Sequence, residues 1–509
     1  MPKLVLLWLS ASFVAGILTA GEVPKLIPWQ YGLALSAGLF FYTVLKKNSA
    51  SGRSLFFALL IASFCLGLGR YYVIEHTDSS DFLVQQSGGN TVSVQGKVIE
   101  PTLVSVDHGE TIIQLESISS SDGQWLPAEG KLTVHLPPSF TFSYHTTLTL
   151  EGKLLTTVAS DSKPHTSWLK RQGVDFQMYY PTLVSSSSAQ TISFMGWLYS
   201  LKEKAYSVLQ TILPFPESEL LAGILLGLES RIPEYLQDAY HLTGTAHIIA
   251  ISGFNISLIA TMISKFFNRI FPYRVGAIFS IMTIALYTLL VGLQPAVVRA
   301  ALMGIIAIPA YLIGRRIIGA HSLAISAACM ALINPLILWD ISFQLSFSAT
   351  FGILMFTDYF AEKATGLIEK SQLPSKEFLA GYIKDFLLTA LSAQIATFPV
   401  LIRYYENFSL ISLLVNFLIL PWQPAIMVVG GIALLAGLFS YPLGRILGWL
   451  AWFIAAFNDQ IVLFFSQFPL SFTINQTIGF WVGIGLNLVL LIIVLRKNTR
   501  ISVVFTPGS

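Results

Sequence analysis

The chain carries, at residues 477–500, the stretch TIGFWVGIGLNLVLLIIVLRKNTR. It holds no charged residue before Arg496 and then three basic residues in five positions. An uncharged apolar run of about 20 residues spans the ~30 Å hydrocarbon core of a bilayer as a helix. The full chain of 509 residues is 54% hydrophobic and only 11% charged, against about 25% charged residues in soluble domains. The sequence therefore predicts a polytopic α-helical membrane protein.

Similar apolar runs recur along the chain and predict about twelve transmembrane helices. Their ranges are 4–20, 27–45, 54–74, 245–264, 275–292, 296–314, 320–338, 341–357, 381–402, 408–440, 443–468 and 474–495. The first run resembles a signal peptide, but a second span follows at once, so we interpret it as a retained helix. The run 408–440 contains Pro421 and Pro424, and proline interrupts helical hydrogen bonding. We interpret it as one broken crossing or as a crossing plus a re-entrant piece.

Basic loops orient the chain, because loops rich in lysine and arginine stay in the cytoplasm. The basic clusters are Lys46-Lys47 with Arg53, Lys265 with Arg269 and Arg274, Arg315-Arg316, and Arg496-Lys497 with Arg500. All four fall on one side if 408–440 crosses once and 194–213 does not cross. The sequence then predicts a multi-pass protein with both termini cytoplasmic and the segment after the third span outside.

Hydrophobicity collapses over residues 76–185, where short segments of alternating polarity, such as 91–98, are separated by glycine, proline and serine. This pattern predicts a small antiparallel barrel or sandwich, and its length suits a five-stranded OB-type barrel. The predicted division is a three-helix segment over 1–75, an extracytoplasmic OB-like β domain over 76–190, a helical connector over 191–240 and a second transmembrane domain over 241–509. Within the connector, 194–213 has apolar residues at helical spacing, which indicates an amphipathic helix on the membrane surface or against the bundle. A soluble helix packed on the barrel is the alternative.

Four clusters place polar residues inside apolar spans, where they are costly and by default mark a pathway or a helix contact. The clusters are 244–256 with His247, Ser252 and Asn255; 294–303 with Arg299; Asn334-Pro335 followed by 340–347 with Gln344; and Gln394 and Pro399 with Asn416 and Pro421. They supply hydrogen-bond donors, helix breaks and one fixed cation. They suit a polar conduit for something long, hydrophilic and anionic.

Each cluster has a plainer interpretation that the sequence leaves open. Ser252 and Asn255 tie helices together in that case, since small and amide side chains serve as interhelical contacts. On the same plainer interpretation, the side chain of Arg299 extends along the helix to the outer lipid headgroups. His247 is then a buried histidine with a satisfied hydrogen bond.

Motifs of hydrolytic enzymes do not occur in the sequence. The eight histidines form neither a His-x-His pair nor HExxH, and there is no glycine-rich phosphate loop with its lysine. The two cysteines lie far apart in apolar runs, which argues against a disulfide framework or a cysteine metal site. We expect no enzymatic activity, no cofactor and no bound metal.

The four clusters, in this order, resemble the channel domain of the ComEC family of bacterial competence proteins. The family hallmark resembles His-Leu-Leu-Ala-Ile-Ser-Gly-Leu-His-Val and stands here as residues 247–256; Arg299-Ala300 with Met303, residues 343–347, and Asn416 near Pro421 follow as in the family. The resemblance covers most of 215–495. Two positions depart from it: Asn255 replaces the second histidine, and Ala296 replaces a serine, so a role that needs a titrating group at 255 is absent.

The resemblance implies a channel for uptake of single-stranded DNA during natural transformation. It implies the form without the C-terminal metallo-β-lactamase-like domain, since that domain's His-x-His-x-Asp-His motif is absent. Single-stranded DNA and membrane lipid are the expected partners. Other competence proteins, a separate nuclease or motor, and oligomerisation stay open.

The predicted β domain holds eleven acidic and six basic residues over 76–185, a balance of −5. Phosphate contacts dominate nucleic-acid affinity, so an acidic domain is a poor generic DNA binder. Local grooves with stacking aromatic residues are the alternative. The candidates are Trp125, Phe140, Phe142 and Tyr144.

Two other function classes stay open. One is a transporter or exporter of another hydrophilic polymer or solute, and the other is a membrane scaffold that presents the β domain.

Overall fold

A computed structural model gives the fold. It describes residues 5–22, 52–75, 91–104, 109–119, 125–156, 169, 171, 173–188, 193–312, 318–368, 380–405, 407–468 and 471–504. The chain forms two compact units, one of residues 1–208 with 327–340 and one of 209–326 with 341–509. The predicted span 27–45 lies outside the described residues.

The first unit begins with a close pair of apolar helices, α1 (Val5–Glu22) and α2 (Gly52–Glu75). Hydroxyl groups link the pair in both directions: Ser12 Oγ donates to the carbonyl of Leu60, and Ser63 Oγ donates to the carbonyl of Leu9, both at 2.8 Å. A methyl group added at Gly67 would collide with the backbone of α1. Small residues allow this approach, as is common between membrane helices.

We expect Gly67→Leu to separate α1 from α2, because the added side chain meets backbone that cannot move aside. The measurement is the yield of folded, detergent-extractable protein, which should fall clearly. Gly431→Leu is the matched control, since Gly431 also lies in an apolar helix but nothing stands within 4 Å of its added Cβ. Equal yields for the two variants would contradict this helix contact.

The rest of the first unit contains an eight-stranded sheet. Its strands are β1 (Thr91–Val104), β2 (Gly109–Ser119), β3 (Trp125–Pro127), β4 (Lys131–Leu136), β5 (Thr146–Lys153), β6 (Leu155–Thr156), β7 (Phe176–Tyr179) and β8 (Thr182–Ser188). The order is β6-β7-β4-β2-β1-β5-β8, with β3 beside β2. Every pair is antiparallel except β4 with β7.

The alternation of polarity in these strands places one face of the sheet in a closed core. Val94, Ile113, Leu132, Leu148 and Phe176 are all fully buried in one cluster. The predicted β-rich region is confirmed. It has eight strands with one parallel pair, rather than the five strands expected, and the OB-like description stays a prediction.

Helix α3 (Phe194–Ile212) follows the sheet and is amphipathic, as predicted. Leu198 and Leu209 are buried, while Phe194 and Trp197 are exposed. Its position at a membrane surface stays a prediction.

The helices that follow are α4 (Glu217–Leu226), α5 (Glu234–Leu242), α6 (Gly253–Ile270), α7 (Tyr273–Val291), α8 (Pro295–Leu312), α9 (Gly319–Ile333), α10 (Ile341–Ile368), α11 (Thr389–Tyr404), α12 (Ser412–Ile419), α13 (Gln423–Phe439), α14 (Tyr441–Ser466) and α15 (Gln476–Val504). A short two-stranded antiparallel sheet pairs β9 (Asn407–Ser409) with β10 (Ser471–Thr473). A 3-10 turn at Leu420–Trp422, which contains Pro421, interrupts the α-helix between α12 and α13 within one helical segment over 412–439. The choice between a broken crossing and a crossing plus a re-entrant piece stays a prediction.

A helix occupies each predicted span that falls within the described residues. By length and composition, six helical segments there can cross a membrane: 246–270, 273–291, 380–404, 412–439, 441–466 and 476–497. Shorter apolar helices cover 5–21, 56–71, 295–310 and 319–333. The fold is mostly helical and multi-pass, and the total of twelve crossings stays a prediction.

Candidate functional site

The segment 244–256 forms a bent entry into α6 rather than one continuous helix. A 3-10 turn at Ala246–Ile248 is followed by an extended residue, Ser252, which caps α6. Ser252 Oγ accepts a hydrogen bond from the backbone N–H of Asn255 at 3.3 Å. The first turn of α6 therefore starts at Gly253.

Arg299, on the first turn and a half of α8, points at this helix start. Its side chain is only 7% exposed, and its Nη2 atom lies where a Cβ of residue 253 would be. Only glycine leaves room for the guanidinium group at this position. Because the group is buried within the protein, Arg299 does not extend along the helix surface as the headgroup interpretation expects.

Helix α10 provides the third side of the site. The guanidinium carbon of Arg299 lies 5.9 Å from the ring centroid of Phe347, within the range of a cation–π contact. Phe343 stacks on Phe347 with ring centroids 4.0 Å apart. Gln344 lies on the same turn and is half-buried. The Phe-Gln-Leu-Ser-Phe motif thus faces the arginine motif.

The fourth cluster meets the same segment through Ser412, at the start of α12. Gln394 and Asn416 both donate to Ser412 Oγ, at 3.0 and 3.4 Å. A Cβ added at Gly244, which has a φ of +67°, would lie 2.7 Å from the Cβ of Ser412. The second and fourth clusters therefore reach residues 244–256 through Arg299 and Ser412. The third cluster is linked to them through the contact of Phe347 with Arg299.

Several buried polar groups in the helices of the second unit have no hydrogen-bond partner among the described residues. They are both amide atoms of Asn255, Nε of Arg299, Oδ1 of Asn416, both amide atoms of Gln423, Oδ1 of Asn458 and Oδ2 of Asp459. Buried polar groups are normally hydrogen-bonded. Each of these groups lies in a helix that is otherwise mostly apolar.

The sequence analysis missed a buried carboxyl group in α14. Asp459 is 3% exposed, and its Oδ1 atom accepts a hydrogen bond of 2.9 Å from the hydroxyl group of Tyr240 on α5. Asn458 beside it is also buried. The signal was present, since Asn458 and Asp459 interrupt the predicted span 443–468 as His247 and Arg299 interrupt theirs.

The remaining predicted site residues occupy different environments. His247 is exposed, Ser252 is half-buried, and Asn255 and Asn416 are buried. Asn334, by contrast, belongs to the first unit, where its amide donates to the carbonyl of Arg171 at 2.7 Å. The pathway role of these residues stays a prediction.

The aromatic residues of the β domain do not form one stacking surface. Trp125 pairs with Ser119 at one end of β2, whereas Phe140 lies near Gly109 at the other end. Ten residues of strand separate these ends by about 33 Å. Phe142 packs against the sheet core.

Tyr144 is engaged with α3 rather than free for a base. Its ring centroid lies 5.4 Å from that of Tyr199. Burial, followed by the neighbouring Glu100 carboxyl group, raises the pKa of Tyr199 to about 12. Of the four predicted aromatic residues, Trp125 and Phe140 are exposed.

Within the described ranges, no group of three or more histidine, cysteine, aspartate or glutamate side chains is placed to hold a metal ion. The site consists instead of one arginine, amide and hydroxyl groups and aromatic rings.

The fold and the site define a multi-pass membrane protein with polar groups gathered inside its helical part. The profile of the family described as "Competence protein" matches residues 224–500, more than half of the chain, and this protein belongs to that family. It is similar to ComE operon protein 3 of Bacillus subtilis strain 168, with 24% identity over 85% of this chain and 51% of the relative.

Two more relatives match shorter parts of the chain. The uncharacterized protein YcaI of Escherichia coli K12 is 26% identical over 44% of this chain and 29% of its own length. An uncharacterized protein of Aquifex aeolicus is 26% identical over 44% of this chain and 49% of its own. The chain thus spans about half or less of the length of these relatives. No solved structure matches it.

Proposed function

We propose that this protein forms a channel in the bacterial cytoplasmic membrane that takes up single-stranded DNA during natural transformation. Membership of the Competence protein family supports a role in DNA uptake. The observation that carries the channel is the set of polar contacts along 244–256, where Arg299 lies against Gly253 and Ser412, which binds Gln394 and Asn416, lies against Gly244. It includes a buried arginine and buried amide groups without partners among the described residues.

The physical argument rests on the cost of burying polar groups. An unpaired amide costs several kcal/mol in an apolar medium, and an unpaired cation costs more. Helix contacts offset that cost only when the groups match one another. Asn255 and Arg299 have unmatched atoms, so water or a hydrophilic cargo is the natural complement. A polyanion suits a pathway whose buried fixed charge is a guanidinium group.

The remaining assignments follow from this role. We infer that residues 76–190 lie outside the cytoplasm, both termini lie inside, and the channel itself neither cuts DNA nor hydrolyses ATP. A separate nuclease or motor and other competence proteins then supply the strand and the driving force.

The function is tested in a naturally transformable host that lacks its own ComEC gene. Expression of this chain should restore entry of fluorescent DNA into the cytoplasm, because the channel is the missing step. A strain with an empty vector is the control. Normal membrane levels without any DNA entry would favour a scaffold or a transporter of another solute.

The predicted orientation is tested by cysteine labelling of intact cells. In a Cys65→Ala, Cys329→Ala background, Ser121→Cys should react with a membrane-impermeant maleimide from outside, because it lies in the predicted β domain. Ser51→Cys should react only after permeabilisation, because it lies in a basic loop. Labelling of both from one side would reject the twelve-crossing topology.

A further inference from the structure

Two positive groups meet at the start of α6. One is the guanidinium group of Arg299, which packs against Gly253. The other is the helix N-terminus itself, where the N–H groups of Gly253 and Phe254 donate to no atom of the described residues. A helix N-terminus carries about half a positive charge, so the two groups repel each other.

No acidic side chain among the described residues pairs with this charge. The ion pairs among the described residues do not include Arg299, and its Nε atom has no hydrogen-bond partner there. The contact with Phe347 is the one favourable interaction with the cation that the geometry shows. Buried charges are normally paired, so this pair of donors is complete only with an anion.

The surroundings leave a way in for such an anion. Gly253 and Phe347 both contact the guanidinium group, and each is half-buried rather than buried. Arg299 therefore forms the floor of a site whose rim is accessible.

We propose that Arg299 and the N-terminus of α6 form a binding site for one phosphodiester anion. Guanidinium groups bind phosphate oxygens with two parallel hydrogen bonds, and helix N-termini bind phosphate through free N–H groups. A nucleic-acid backbone and a phospholipid headgroup share this chemistry. The nucleic-acid source rests on the proposed function, in which successive phosphates of the strand pass the site.

Binding is measured on the full chain in a maltoside detergent, which contains no phosphate, by the anisotropy of a fluorescein-labelled 20-nucleotide oligothymidylate. Arg299→Gln should weaken binding about tenfold, as expected for a lost charge-assisted contact. The plot of the logarithm of the binding constant against the logarithm of the salt concentration should also become shallower. Its slope should change by about 0.7, the value for one phosphate contact with a single strand. An oligonucleotide with a neutral methylphosphonate backbone should not distinguish the two proteins.

Gly253→Ala tests the geometry without touching the charge. Its new Cβ collides with Nη2 of Arg299, the end of a flexible side chain, so the fold survives while the guanidinium group is displaced. We expect weaker oligonucleotide binding. Gly304→Ala on α8 is the matched control, since its nearest neighbour would be Ala260 Cβ at 3.8 Å, and it should bind like the original protein.

Mass spectrometry of co-purified phospholipid separates the two sources. Loss of a bound lipid in Arg299→Gln, with unchanged oligonucleotide affinity, would support the anion site and assign it to a headgroup. Unchanged lipid content and unchanged affinity in both Arg299→Gln and Gly253→Ala would overturn the site. If oligonucleotide binding depends on Arg299 but the protein restores no DNA uptake, the anion site would stand and the proposed channel function would be rejected.

Discussion

Cells that carry Arg299→Gln are expected to take up labelled DNA about tenfold less efficiently, or worse, at normal membrane levels of the protein. Glutamine removes the fixed cation but keeps a polar side chain of similar reach. Losing one charge-assisted hydrogen-bonded contact costs about 1.5–3 kcal/mol of binding free energy. This cost corresponds to a factor of about 10–100 in affinity. The measurement is the rate at which internalised DNA accumulates, normalised to membrane protein.

Arg299→Lys refines this expectation. Lysine keeps the charge but lacks the planar group with several donors that stacks on Phe347 and spans two phosphate oxygens. We expect Arg299→Lys to recover only a small part of the activity. Full activity would show that charge alone matters.

The control for both variants is Gly304→Ala on the same helix, which should take up DNA normally. Uptake by Arg299→Gln that equals the control, with protein levels verified, would remove Arg299 from the pathway.

Asp459→Leu is expected to destabilise the helical part by about 1–3 kcal/mol. The substitution keeps the approximate side-chain volume but leaves the buried hydroxyl group of Tyr240 without its acceptor, and an unsatisfied buried donor costs about that much. The measurement is the thermal unfolding midpoint in detergent, which should fall.

Tyr240→Phe combined with Asp459→Leu should recover most of that loss, because removing both partners leaves no unmatched group. Asp459→Asn is the second control: it keeps an acceptor for Tyr240, so its midpoint should stay near that of the original protein. A double variant as unstable as Asp459→Leu would show that the hydrogen bond is not the cause.

The sequence by itself predicted that most of the chain lies in a lipid bilayer, and it predicted the positions of the helices and the β-rich insertion. These properties depend on runs of like residues and on local periodicity, so near neighbours in the chain carry the signal. The run 477–495 is enough to predict a membrane helix, and Pro421 is enough to predict the break between α12 and α13. The polar clusters were visible for the same reason.

The pairing of the strands in the sheet could not be predicted from local sequence patterns. Alternation predicted strands, but the parallel pairing of β4 with β7 and the total of eight strands depend on contacts between distant segments. The aromatic residues look like one group in sequence, yet Trp125 and Phe140 lie beside opposite ends of β2.

Tertiary structure decided which polar residues meet. No local pattern shows that Arg299 lies against Gly253, or that Ser412 joins Gln394 to Asn416. The same holds for Tyr240 and Asp459, which are 219 positions apart. A sequence shows the cost of a polar group at membrane depth, whereas its partner is set by packing between helices, which only the folded chain defines.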